Sequence, residues 1–223
     1  MTPERLHCVL TRYIVKRGHA PSPGALANAA GCDAAAVSAA LAKLAQMHGV
    51  ILEPGSERIW SLHPFSMLPT AFWVTSNGRG WWANCAWCSL AIGAAIGADT
   101  EISTREGAEG VPLQFEVRNR ESSRPDLLMH FPYAPSRWWD NPFCPCGNIL
   151  FFSSESQIDE WAARHGRPKG AILKMPAALQ LAQRWFGDYA RPDWRRKTPE
   201  QAEAIFRELG LDRRFWNISG GFR

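Results

Sequence analysis

The segment Trp81-Trp82-Ala83-Asn84-Cys85-Ala86-Trp87-Cys88-Ser89-Leu90-Ala91-Ile92-Gly93-Ala94-Ala95-Ile96-Gly97 changes character in its middle. Preceded by Phe72-Trp73-Val74-Thr75 and the turn Ser76-Asn77-Gly78-Arg79-Gly80, its first four residues complete a β-hairpin, since bulky aromatic side chains suit a pleated surface. From Cys88 the residues are apolar and small, which predicts a short helix packed closely against a sheet. Downstream, short apolar or alternating runs predict strands over 100–104, 113–117, 127–131, 148–152 and 171–173. Helical spacing predicts helices over 154–165, 176–189 and 198–209. The expectation is an α+β protein with a mixed sheet-plus-helix core over 64–190 and a C-terminal extension over 191–223.

Upstream, Leu6, Val9, Leu10, Tyr13 and Ile14 recur at helical spacing as far as Gly18. Ser22 and Pro23 open a second helix that Gly31 closes, and a third runs over 33–48. Residues 50–52 and 58–62 flank the turn Glu53-Pro54-Gly55-Ser56 as a hairpin. Three helices and a hairpin predict a winged helix-turn-helix-like domain over 1–63. The helix that would read bases presents Ser38 and Lys43 where Arg, Asn or Gln would be needed. The net charge is a mild +4, from 25 basic and 21 acidic residues, so nucleic acid is not an expected partner.

A chain of 223 residues, 46% of them hydrophobic, can bury a sizeable core, which excludes both a mini-protein and a disordered chain. It has no apolar run long enough to span a bilayer, so no membrane partner is expected. Glu4, Arg5, Arg12, Lys16 and Arg17 interrupt the apolar stripe at the N-terminus, unlike the h-region of a signal peptide. A cytoplasmic location is expected, and there cysteines are thiols. Neither Gly78-Arg79-Gly80 nor Gly220-Gly221 makes a phosphate cradle.

Of the six cysteines, Cys8 and Cys32 fall on inner faces of the N-terminal helices and read as core. The others form two pairs, Cys85/Cys88 and Cys144/Cys146. A thiol at a strand-to-helix junction lies near a helix N-terminus, where the dipole favours the thiolate. If the pairs meet, Cys85, Cys88, Cys144 and Cys146 could hold Zn2+ or Cu(I) as a sulfur-rich metal site. Trp81, Trp82, Trp87, Trp138 and Trp139 flank the pairs and read either as walls of an apolar pocket or as core. Trp161 and Trp185, at helical positions, read as core.

The combination resembles the organomercurial (alkylmercury) lyases. Residues that carry the resemblance are Pro64-Phe65, Pro69-Thr70, Ala86-Trp87-Cys88-Ser89-Leu90 and the run from Phe143 through Cys144-Pro145-Cys146 to Phe151-Phe152, followed by a Trp-bearing helix ending Ala163-Arg164-His165-Gly166. It covers roughly residues 1–189. It implies that two cysteines take the mercury of an organometal R–Hg+, with no cofactor, while an aspartate helps deliver the proton that releases R–H. Cys88 matches the first cysteine; the second is Cys146 counted back from Phe151, or Cys144 counted from Phe143, with Cys146 preferred. The aspartate's position holds Ala91, which cannot carry a proton. Ser89, Cys85 and Asp140 remain as replacements, with Asp140 the expected acid. Implied partners are an organometal or metal ion and a thiol reductant or metal acceptor. The other reading is a relative that binds Zn or Cu through four cysteines for metal handling or another metal-dependent reaction.

Overall fold

The Thr2 hydroxyl accepts from the Arg5 amide, Pro3 fills the first turn, and Gly18 adopts the left-handed conformation at φ +77°, so α1 spans Pro3–Arg17. Ser22 and Asp33 cap α2 (Pro23–Ala30) and α3 (Ala34–Gln46) in the same way. Leu6, Leu10 and Ile14 form the buried stripe of α1, which packs on α3. The computed structural model describes residues 1–138, 141 and 143–218.

After the helices, β1 (Ile51–Leu52) and β2 (Ile59–Leu62) form the expected hairpin. It does not stop there. Strand β2 pairs with β3 (Phe65–Ser66) at Ser61↔Ser66 and Leu62↔Phe65, and β3 pairs in turn with β5. Together with β4 (Trp73–Ser76), β5 (Arg79–Ala83), β6 (Thr100–Arg105), β7 (Pro112–Arg118) and β8 (Glu121–Ser122) they make one eight-stranded antiparallel sheet, in the order β1-β2-β3-β5-β4-β6-β7-β8. The hairpin after the three helices is thus the edge of the main sheet, held by backbone pairing across residue 63. A second sheet has β9 (Leu128–Phe131) between β10 (Leu150–Phe152) and β11 (Ala171–Lys174), again antiparallel.

Between β5 and β6 lies α4 (Ala86–Ile96), with every residue from Ala86 to Ile92 buried. The helix shows no polar stripe because it is enclosed, by α7 (Met175–Phe186) and by the sheet strands β4, β5 and β10. Its small residues allow this approach: a Cβ on Gly93 would stand 3.2 Å from the Thr100 hydroxyl. On α7, Ala178, Leu181, Ala182 and Trp185 repeat as an inward face. The remaining helices are α5 (Phe143–Cys146), α6 (Glu155–His165) and α8 (Pro199–Glu208). Thr198 and Gln201 form a reciprocal capping box at the start of α8.

The C-terminal segment is integral to the core. Phe206 of α8 stacks on Trp185 at 5.8 Å, and Trp216 packs edge-on against Phe131 at 5.0 Å. One continuous apolar cluster therefore runs from Leu6 through Phe65, Ile92 and Phe131 to Phe206 and Ile218. Among the described residues no single helix is long and apolar enough to cross a membrane.

Candidate functional site

Cys85 is the N-cap of α4. Its backbone is extended and its sulfur accepts from the Cys88 amide at 3.3 Å, the place a Ser or Asp side chain usually takes. That contact fixes Cys88 in the first turn, beside Cys85 and at the positive end of the helix. The residues just before and after Cys85 tie α4 to two other segments. Asn84 donates from Nδ2 to the carbonyls of Pro64 and Phe65 at 3.2 Å each, and its amide donates to Pro64 at 3.3 Å. These bonds hold the corner between β2 and β3 that carries His63. On the other side, the Ala86 amide donates to the Ile149 carbonyl at 3.0 Å, and the Ile149 amide donates to Pro145 at 3.0 Å. That pair ties in α5.

Three segments distant in sequence are thereby pinned around one point. His63 Nε2 lies 3.3 Å from Cys146 Sγ, and the ligand atoms of His63, Cys88 and Cys146 all fall within 4.8 Å of one another. Cys88 is fully buried, whereas His63 and Cys146 are partly open to solvent. Burial opposes ionisation of Cys85, but hydrogen bonds from the Cys146 and Cys88 thiols and from the Cys88 amide outweigh it and hold Cys85 well below the ordinary thiol range. Burial, then the hydrogen bonds to Cys146 and Cys85, push Cys88 well above it. Cys146 is raised first by its hydrogen bond to Cys85. The three thiols titrate together, and their mutual hydrogen bonds favour ionisation of Cys85 over Cys88 and Cys146. Burial lowers the His63 pKa, with the Cys85 charge opposing, so the imidazole is neutral beside them.

Above the sulfurs is a cavity of about 80 Å³, several times the space that one water occupies. Trp87, Trp138, Trp185, Phe186, Tyr189 and Trp194 supply its aromatic walls, and Cys85, Cys88, Cys146 and His63 line its floor. The rings brace one another: Trp87 stands 5.3 Å from Trp138, 5.5 Å from Trp185 and 5.0 Å from Phe186.

Several sequence expectations are corrected here. Cys144 is exposed and does not line the cavity, so a four-cysteine centre for Zn or Cu is not assembled. The reason is helical: two positions along a turn rotate a side chain by about 200°, so Cys144 and Cys146 face opposite ways. Trp81 and Trp82 are neighbours on a strand and point to opposite faces. Trp81 donates from Nε1 to the Ile14 carbonyl at 3.0 Å, while Trp82 packs on Trp73 at 4.6 Å, and neither lines the cavity. Trp185 is buried in the core, as read, and also lines the cavity. Ser89 donates to the Ala86 carbonyl at 2.7 Å, turned back on its own helix, and Ala91 is fully buried. Trp139 and Asp140 lie outside the described residues.

His63 was not singled out by sequence, nor were His7, Tyr189, Trp194 and Arg196, which also line the cavity. Trp194 stacks on His7 with ring centroids 3.6 Å apart. No periodicity marks a solitary histidine at a strand corner; the only available cue was its place directly before Pro64.

Comparison with known proteins adds three findings. The family model described as alkylmercury lyase matches residues 65–187. Alkylmercury lyases of Bacillus cereus and Clostridium butyricum are each 25% identical over 120 residues, covering 53% of this chain and 54% of theirs. The chain matches about half the length of these curated relatives. In fold it is similar to the mercury-bound form of MerB2, with a TM-score of 0.62 and 24% identity over 84% of this chain and 90% of that one.

Proposed function

The chain belongs to the alkylmercury lyase family, and from that premise we propose that it takes an organomercurial cation R–Hg+ between Cys88 and Cys146 and releases the hydrocarbon R–H by protonolysis. The observation that carries this reading is the cluster of His63, Cys88 and Cys146 ligand atoms within 4.8 Å at the floor of an aromatic cavity. Two metal–thiolate bonds of ~2.3 Å set in line span about 4.6 Å, so the spacing suits a soft metal held between two sulfurs.

The proton balance is R–Hg+ plus two thiols giving R–H, mercury dithiolate and one proton. Cys146 passes its proton to Nε2 of His63, 3.3 Å away, and its thiolate bonds the mercury. Cys88 passes its proton to the Cys85 thiolate and becomes the second sulfur ligand. Two thiolates push electron density onto the metal-bound carbon. The carbon–mercury bond then breaks, carbon keeps its electron pair, and the imidazolium of His63 supplies the proton. Mercury remains on two sulfurs until an external thiol displaces it. The proton on Cys85 accounts for the one released to solvent. No step changes an oxidation state, and none calls for a resident cofactor.

In this reading residues 1–63 act as a scaffold that delivers His7 and His63 to a core formed by residues 64–190, and Trp194, Arg196 and Lys197 of the C-terminal extension close the cavity. The test is direct. Purified protein with phenylmercury and excess thiol should release benzene over many turnovers, and Cys88→Ser should abolish the release. Absence of benzene from the wild-type protein under these conditions overturns the reading.

A further inference from the structure

A third sulfur stands where two would suffice to hold the metal. Cys85 lies directly before the stretch from Ala86 to Leu90 that carries the family resemblance, and outside it. As the N-cap of α4 it occupies a position that Ser, Thr, Asp or Asn fills best, and a thiol is a weak acceptor for that purpose. A thiolate is, however, a strong ligand for a soft metal. Cys85 is fully buried and hydrogen-bonds with the thiols of both Cys88 and Cys146, which also bond each other. Three sulfurs from two distant segments are therefore in mutual contact.

This spacing has a coordination counterpart. Three metal–sulfur bonds of ~2.3 Å in one plane put the sulfurs about 4 Å apart, close to the separation of thiols in hydrogen-bond contact. Resting on the lyase reading above, we propose that Cys85 is a third mercury ligand, closing a trigonal three-sulfur centre on the Hg2+ left by protonolysis. In that step the Cys85 thiol loses its proton to solvent and a sulfur–mercury bond forms; no bond to Cys88 or Cys146 breaks, and mercury stays divalent. Cys85 has no need to face the cavity. Mercury arrives through Cys146, which is partly open to solvent, and meets Cys85 through sulfurs already touching it. Hg2+ on three thiolates carries one net negative charge, and it sits at the positive end of an 11-residue helix with Cys85 at the cap and Cys88 in the first turn. The Cys88 amide already donates to the Cys85 sulfur at 3.3 Å, so that sulfur is aimed before metal arrives. Cys144, exposed on the far side of α5, takes no part.

The test uses the full-length protein loaded with one equivalent of mercuric chloride and passed through gel filtration, so it does not depend on hydrocarbon release. X-ray absorption at the mercury edge should show three sulfur neighbours in the wild-type protein and in Cys144→Ser, and two in Cys85→Ser. Serine is a favoured N-cap, so this variant keeps the start of α4. In competition with dithiothreitol, Cys85→Ser should release mercury at about tenfold or more lower competitor concentration, since even the loss of an outer-shell partner costs about 10–100-fold in metal affinity. Two sulfurs on mercury in the wild-type protein, with or without a nitrogen, overturn the third ligand and leave the lyase reading standing; so does equal retention by wild type and Cys85→Ser. Three sulfurs in the wild type that fall to two in Cys144→Ser overturn the assignment to Cys85. Three sulfurs that depend on Cys85, in a protein that yields no benzene from phenylmercury, support the centre and overturn the lyase reading.

Discussion

Replacing His63 by Gln removes the one imidazole in contact with Cys146 among the described residues while keeping a polar side chain at the corner. The backbone there should hold. Asn84 makes its three hydrogen bonds to the Pro64 and Phe65 carbonyls at 3.2–3.3 Å, and none involves the His63 side chain. Loss of a positioned acid–base group costs about 10²–10⁴-fold in rate, or roughly 2.7–5.4 kcal/mol of barrier. His63 is partly open to solvent, so water replaces it in part and the lower half of that range is expected, about 10²–10³-fold. Single-turnover release of benzene from phenylmercury, followed by gas chromatography, reads the chemical step. Mercury retained after gel filtration reads binding, which should stay near one equivalent because both sulfurs remain. Added imidazole should restore part of the rate. A single-turnover rate within about threefold of wild type, with benzene still released, would falsify the role given to His63.

Three further outcomes are expected from the same geometry. Cys144→Ser should leave the turnover rate within about twofold of wild type, the expectation for an exposed side chain outside the cavity, whereas Cys146→Ser should remove it; comparable losses in both would contradict the assignment. Burial lowers the His7 pKa to about 3 in the folded protein, so the unfolded chain binds the extra proton first as pH falls below 6.5. Stability should therefore decline between about pH 6.5 and pH 3 by up to ~5 kcal/mol from this group, and His7→Phe, which keeps a ring on Trp194, should flatten that part of a urea-denaturation series. Phe206→Ala should destabilise by about 3–5 kcal/mol, lowering Tm by roughly 10 °C, because its ring docks α8 on Trp185; a calorimetric shift under 2 °C would mean that α8 is not held this way.

Much of the fold is legible locally. The caps at Thr2, Ser22 and Asp33 and the stops at Gly18 and Gly31 mark the N-terminal helices with side-chain chemistry that needs no partner segment. The pairing of β2 with β3 was not legible, because register between short strands is set by whole-sheet burial and not by either strand alone. Helix α5 is a single turn, too short to show a period, and that hid the opposite directions of Cys144 and Cys146. Period-two alternation did carry the information that Trp81 and Trp82 could not line one pocket together. Trp185 illustrates the reverse case: helical spacing marks it as inward-facing, but the interior it faces includes the cavity.

The position where the family resemblance implies an aspartate is where local and tertiary physics meet. On α4 the position holds Ala91, enclosed on a helix with no exposed face, one turn beyond a buried thiol. A carboxylate there would sit without solvent, and desolvation opposes its ionisation. At the β2–β3 corner a neutral imidazole meets Cys146 from the solvent side and adds no charge to the resting site. In the proposed reaction it becomes charged only when a thiol proton moves onto it, which is also when a thiolate forms to pair with it. The corner is held by Asn84, the residue immediately before Cys85, so the hydrogen bonds that start α4 also set the distance from His63 to the sulfurs. In the proposed reaction, an acid at the corner in place of one on the helix keeps the proton within reach of the metal-bound carbon and leaves the interior of α4 free of a buried carboxylate.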